Sequence, residues 1–104
     1  VRLLLDTHVV LWHFGDVRRL GPHAEQAIER ASELRVSAVS FAEVGVKAAV
    51  GKLSVRGDLH AEVVRSGMRL LPLTPQHGLA VADLPLHHRD PFDRLLIAQP
   101  WPRA

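Results

Sequence analysis

Val1-Arg2-Leu3-Leu4-Leu5-Asp6-Thr7 is an apolar run broken only by Arg2 and stopped by a carboxylate. Three successive leucines cannot share one side of a strand, because side chains alternate between faces, so the run reads as a short strand covered on both sides. Sheets covered on both sides are mostly parallel, and they bind ligands outside the carboxyl ends of their strands. Asp6 and Thr7 stand at that end of this strand.

Downstream, Val9, Val10, Leu11, Trp12 and Phe14 predict a first helix closed near Gly15-Asp16, with Trp12 and Phe14 read as core side chains. Gly21-Pro22 opens a second helix, where an early proline forfeits no hydrogen bond, and Ala24, Ala27, Ile28 and Ala31 give it an apolar stripe. Leu34 to Ala38 reads as a second strand. Ser40-Phe41-Ala42-Glu43 has capping-box spacing, which predicts a helix from Phe41 to about Val50 with Gly51 as its stop. Asp58 caps a further helix through Ser66, Met68 to Leu73 reads as a third strand, and Thr74-Pro75 and Asp90-Pro91 each start another helix. Pro100 ends the last helix, and residues 100–104 read as an unstructured end. Strands joined through helices give an α/β fold on a parallel sheet, since parallel neighbours need a long crossover.

The 104 residues suffice for one domain, residues 1–104, and for one modest core. Three strands with so apolar a first member leave the sheet short, so it is expected to lack its last strands. Cysteine is absent, which excludes disulfides, zinc–thiolate sites and a cysteine nucleophile, and suits a reducing cytoplasm. No apolar run approaches the roughly 20 residues that cross a bilayer. Eleven of the 13 basic residues are arginine, the side chain best suited to forked phosphate contacts.

Three acids stand out by position. Asp6 ends the first strand, Glu43 follows the second, and Asp93 lies in the first turn of the last helix. In a parallel sheet the carboxyl ends of strands and the amino ends of the following helices share one rim, so these acids can converge although far apart in sequence. Carboxylates gathered together repel, and a hard divalent ion with oxygen ligands relieves that cost. Mg²⁺ or Mn²⁺ is the candidate, and hydrolysis of a phosphodiester by water is the chemistry such an ion supports.

Each acid also has a structural explanation. Glu43 could complete the capping box or pair with Lys47 one turn on, Asp90 could cap before Pro91, and Asp93 could answer the helix dipole. Asp6 could cap the first helix, although aspartate is depleted in strands. Gly45 and Gly51-Lys52 do not make a phosphate-binding loop, because the glycine spacing is wrong and Leu53 stands where Ser or Thr would hold magnesium. His87-His88-Arg89 reads as solvated loop, since adjacent histidines point apart on any regular element.

Taken together, Leu3-Leu4-Leu5-Asp6-Thr7-His8, Val36-Ser37-Ala38-Val39-Ser40-Phe41-Ala42-Glu43, Gly51-Lys52-Leu53 and the run from His87 to Gln99 resemble the PIN-domain ribonuclease toxins of the VapC type, over residues 1–99. The resemblance implies a PIN-like α/β/α sandwich on a parallel sheet, Mg²⁺- or Mn²⁺-dependent endoribonuclease activity against RNA, and a cognate VapB-like antitoxin. It implies that Asp6, Glu43 and Asp93 are catalytic and hold metal, with Asp90 assisting. Thr7 and Ser40 match supporting hydroxyl positions, and Arg94 is expected to approach substrate phosphate. A homodimer in the cytoplasm and no membrane are expected.

The chain departs from that pattern after Gln99. Pro100 and Pro102 stand where the family continues into a further strand and a fourth acid, so the expectation is a truncated or frameshifted C-terminus. The alternative function is a catalytically inactive remnant that binds an antitoxin or associates with itself.

Overall fold

A computed structural model describes residues 2–55, 57–84, 90–99 and 101–102. Three strands, β1 (Arg2–Leu5), β2 (Glu33–Ser37) and β3 (Arg69–Leu71), form a parallel sheet in the order β1-β2-β3. Leu4 pairs with Arg35, Leu5 with Val36 and Ser37 with Leu71. Helices α1 (Thr7–Phe14) and α2 (Gly21–Arg30) connect the first two strands; α3 (Ala38–Ala49) and α4 (Leu59–Arg65) connect the second to the third. Helices α5 (Pro75–Leu79) and α6 (Pro91–Ala98) follow.

The alternation of side chains along β1 sends its leucines to opposite sides, as a doubly covered strand requires. Leu5 joins Val10, Val36, Val63 and Met68 in one core, against which Phe14, Ile28, Phe41 and Leu59 pack. Leu4 joins Val39, Leu71 and Leu96 in a second core, covered by Phe92, Leu95 and Trp101. The result is the expected α/β/α arrangement. Among the described residues no helix is long and apolar enough to cross a membrane.

Boundaries moved where capping chemistry was misassigned. Helix α3 starts at Ala38, three residues before the expected Phe41, because Ser37 and not Ser40 is the N-cap: its Oγ accepts the Val39 N–H at 3.0 Å. A strand running straight into a helix left no loop for a later cap. The expected starts at Asp58, Thr74 and Asp90 hold, each side-chain oxygen accepting an N–H two or three residues on. Strand β3 is only three residues long, shorter than Met68 to Leu73 suggested.

The chain end is not wholly unstructured. The Leu4 N–H donates to the Pro102 carbonyl at 2.7 Å, and Trp101 packs on the second core with the guanidinium groups of Arg2 and Arg35 at 5.0 and 4.7 Å from its ring centre. Arginine faces attract an indole, and burial of the ring adds apolar area, so a proline-rich tail still docks. His87, His88 and Arg89, read as loop, and Pro100 lie outside the described residues.

Candidate functional site

The carboxyl rim of the sheet carries the residues that matter. Asp6 follows β1 directly and occupies the N-cap position of α1, yet its side chain makes no capping hydrogen bond there. The capping explanation for this aspartate therefore does not apply. Thr7, the first residue of α1, is buried, and its Oγ1 lies 2.8 Å from Oγ of Ser40, which is also buried. This hydroxyl pair ties the start of α1 to the first turn of α3.

Glu43 lies one turn beyond Ser40 on α3. Because the helix begins at Ala38, Glu43 is too deep in it to complete a capping box, and that expectation is overturned. Its pairing with Lys47 is real: Nζ donates to Oε2 at 2.6 Å, with the carboxylate side chain 6% exposed. The Lys47 ammonium is held above the usual lysine range, first by that hydrogen bond and further by the charges of Glu43 and Asp90, against burial, which acts the other way. Asp90 thus acts on the same rim.

A cavity of about 220 Å³ is lined by Thr7, His8, Leu11, Glu43, Lys47, Lys52 and Leu53. The return of Lys52 to this cavity follows from how α3 ends. Gly51 adopts φ +77°, the Gly51 N–H donates to Ala48 and the Lys52 N–H to Lys47, at 3.1 and 2.9 Å. This paired closure reverses the chain and lays Lys52 and Leu53 back beside the helix they follow. Lys52 and His8 escaped the reading of the sequence as site residues. A glycine stop followed by a cation was the available signal.

Asp93 lies in the first turn of α6, as expected, on a helix that packs against α3. Asp90 caps that helix, its Oδ1 accepting the Phe92 N–H at 2.9 Å. Arg94 Nη2 donates to the Val81 carbonyl at 2.7 Å, which anchors α6 to the turn at 80–83. Among the described residues no group of three or more His, Cys, Asp or Glu side chains is close enough to hold a metal ion together. The structure brings Thr7, Ser40 and Glu43 together and sets Asp6 and Asp90 at the same rim, without closing the three acids into one cage.

The cavity lining offers one carboxylate, Glu43, with the Thr7 hydroxyl and the His8 imidazole, beside the ammonium groups of Lys47 and Lys52, so among the described residues the cavity by itself is not a site for a hard divalent ion. Glu43, buried and already holding one cation, is the carboxylate with the clearest need of positive charge.

Trp12 was read as core but packs otherwise. Its ring lies 5.7 Å from that of His8, and both line a groove of about 600 Å³ with Leu11, Phe14, Arg19 and Leu59. Phe14 does pack against the first core as expected.

The PIN domain family matches residues 3–99 of this chain. Among curated proteins, the chain is 36% identical to Ribonuclease VapC22 of Mycobacterium tuberculosis over 104 aligned positions, which cover 92% of this chain and 76% of that protein. No solved structure matches the chain. The match runs from the buried leucines of β1 to the end of α6, and so takes in the whole rim described above: the chain belongs to the PIN domain family and is of the VapC type.

Proposed function

We propose that this chain is the ribonuclease toxin of a toxin–antitoxin pair, cutting RNA phosphodiesters with Asp6, Glu43 and Asp93 as the acids that hold a divalent ion and Asp90 in support. The observation that carries this reading is Glu43: a carboxylate buried in a cleft at the ligand-binding rim, on a helix interior where no capping duty explains it. Bound Mg²⁺ or Mn²⁺ would supply charge stabilisation for the phosphodiester oxygens and lower the pKa of the attacking water. The Thr7–Ser40 pair would hold the two acid-bearing segments in register, and Lys52 would meet substrate phosphate from the cavity wall. Arg94, already engaged with Val81, would contribute by fixing α6 and approach phosphate only from its remaining donors.

A VapB-like antitoxin is the partner this reading implies, and its RNA substrate puts the reaction in the cytoplasm. Homodimer formation belongs to the same reading. The experiment is Mg²⁺-stimulated cleavage of RNA by the purified chain and by Asp6→Asn, with circular dichroism to check the fold. Cleavage lost in the folded variant supports the proposal; equal cleavage ends it.

The open arrangement of the acids favours a second reading, a module that binds an antitoxin or another copy of itself without turnover. Antitoxin co-purification by a chain that cleaves nothing in either metal would select that reading.

A further inference from the structure

Trp12 packs in neither core, although Val10 and Phe14 on the same helix pack in the first. Its half-buried ring lies against His8, one turn earlier on α1, in the groove of about 600 Å³. That groove is continuous with the cleft. His8, Leu11 and Leu53 line both the groove and the 220 Å³ cavity, so the aromatic wall runs into the wall that carries Lys47 and Lys52. The two parts differ in charge. Lys47 is engaged by Glu43, whereas Lys52 is exposed and has no ion pair among the described residues. In the groove Asp16 is answered by Arg18 and Arg19, Glu62 is the remaining acid, and the rest of the wall is chiefly apolar.

We propose that cavity and groove together form a nucleotide subsite for single-stranded RNA: Lys52 holds a backbone phosphate at the cleft, and the adjoining base stacks on Trp12 with His8 at the junction. The inference rests on reading the rim as the place where RNA is cut, and adds where a nucleotide beside the cut is held. It needs no metal ion in the cavity. A nucleotide joins an anion to a flat, largely apolar ring, and a free ammonium beside a half-exposed indole is complementary to both parts. Stacking of this kind tolerates any base, since every base has a π-face, but a duplex keeps its bases stacked inside, so the subsite selects single strands.

The test is binding of a fluorescein-labelled, mixed-sequence single-stranded hexaribonucleotide by the full chain, read by anisotropy in EDTA so that a metal-dependent reaction cannot consume the probe. Trp12→Leu keeps an apolar side chain in the groove and should weaken binding about tenfold with unaltered salt dependence, and Trp12→Phe should recover most of the loss. Lys52→Gln should weaken binding and also lower the slope of log affinity against log salt by about 0.7, the loss of one phosphate contact on a single strand. Trp101→Phe leaves Trp12 as the one tryptophan without altering the groove, and there the oligonucleotide should quench indole emission at the midpoint that anisotropy gives. No binding by the unaltered chain, no quenching by a bound oligonucleotide, or equal affinity in a folded Trp12→Leu chain means that no base sits on Trp12, and overturns the proposal. An unchanged salt slope in Lys52→Gln, or a duplex bound as tightly as the single strand, overturns it too. The failure of the underlying reading looks different: RNA left uncut by the unaltered chain in Mg²⁺ and in Mn²⁺, however tightly the oligonucleotide binds.

Discussion

The side-chain oxygens of Thr7 and Ser40 meet at 2.8 Å in the buried seam between α1 and α3, 33 residues apart in the chain. One hydroxyl follows Asp6 and the other precedes Glu43 by a single helical turn. Their contact therefore sets the spacing of two carboxylates that share no direct structural element. Thr7→Val leaves the buried Ser40 hydroxyl without its partner and should cost about 1–3 kcal/mol in urea unfolding. The double variant Thr7→Val, Ser40→Ala removes both polar groups, and its cost should fall well below the sum of the single variants. Additive costs would show that the two hydroxyls do not depend on one another.

Ser37 serves two elements at once. Its Oγ accepts the Val39 N–H that starts α3 and donates to Oε1 of Gln99 at 2.6 Å, while Gln99 Nε2 donates to the Pro72 carbonyl at 3.2 Å. Ser37→Ala should therefore lose both a helix cap and the partner of a buried amide, a cost of about 2 kcal/mol or more in denaturant titration. A loss below about 0.5 kcal/mol would mean that the Gln99 link is not holding α6 to the strand ends.

Gly51 provides the backbone that returns Lys52 to the cleft. At φ +77° an alanine is strained, and Gly51→Ala should destabilise the chain by about 1–2 kcal/mol. Lys52 should also become more reactive to acylation as the paired closure loosens. Unaltered stability and reactivity would show that the reversal does not depend on glycine.

Trp101 covers the second core from the tail. Trp101→Ala removes packing on Leu4 and Leu96 together with two arginine–ring contacts, and should cost about 2–4 kcal/mol by thermal or urea unfolding. Trp101→Phe should recover more than half of that loss, because a ring still fills the site.

Much of this architecture was legible in local chemistry. The Leu3-Leu4-Leu5 run could only be a strand covered on both faces, and Asp58, Thr74 and Asp90 announced helix starts because a short side-chain oxygen before a helix has a free N–H to accept. The box spacing from Ser40 to Glu43 pointed to Ser40 as the cap of α3, whereas Ser37, three residues earlier, takes that role. Which serine capped depended on where β2 stopped, and β2 stopped where its pairing with β3 ended at Ser37 and Leu71.

The acids, the hydroxyls, the glycine stop and the order of strands and helices were all determined by the sequence itself, since each follows from residue type and spacing along the chain. The tertiary fold alone decided that Thr7 bonds Ser40, that the carboxylate of Glu43 is buried, that Lys52 lines the cleft with it, and that Trp101 docks on the strand face it shares with Leu4. Contacts between residues tens of positions apart depend on how helices seat on the sheet. That seating is a property of the packed core as a whole, and no short stretch of sequence encodes it.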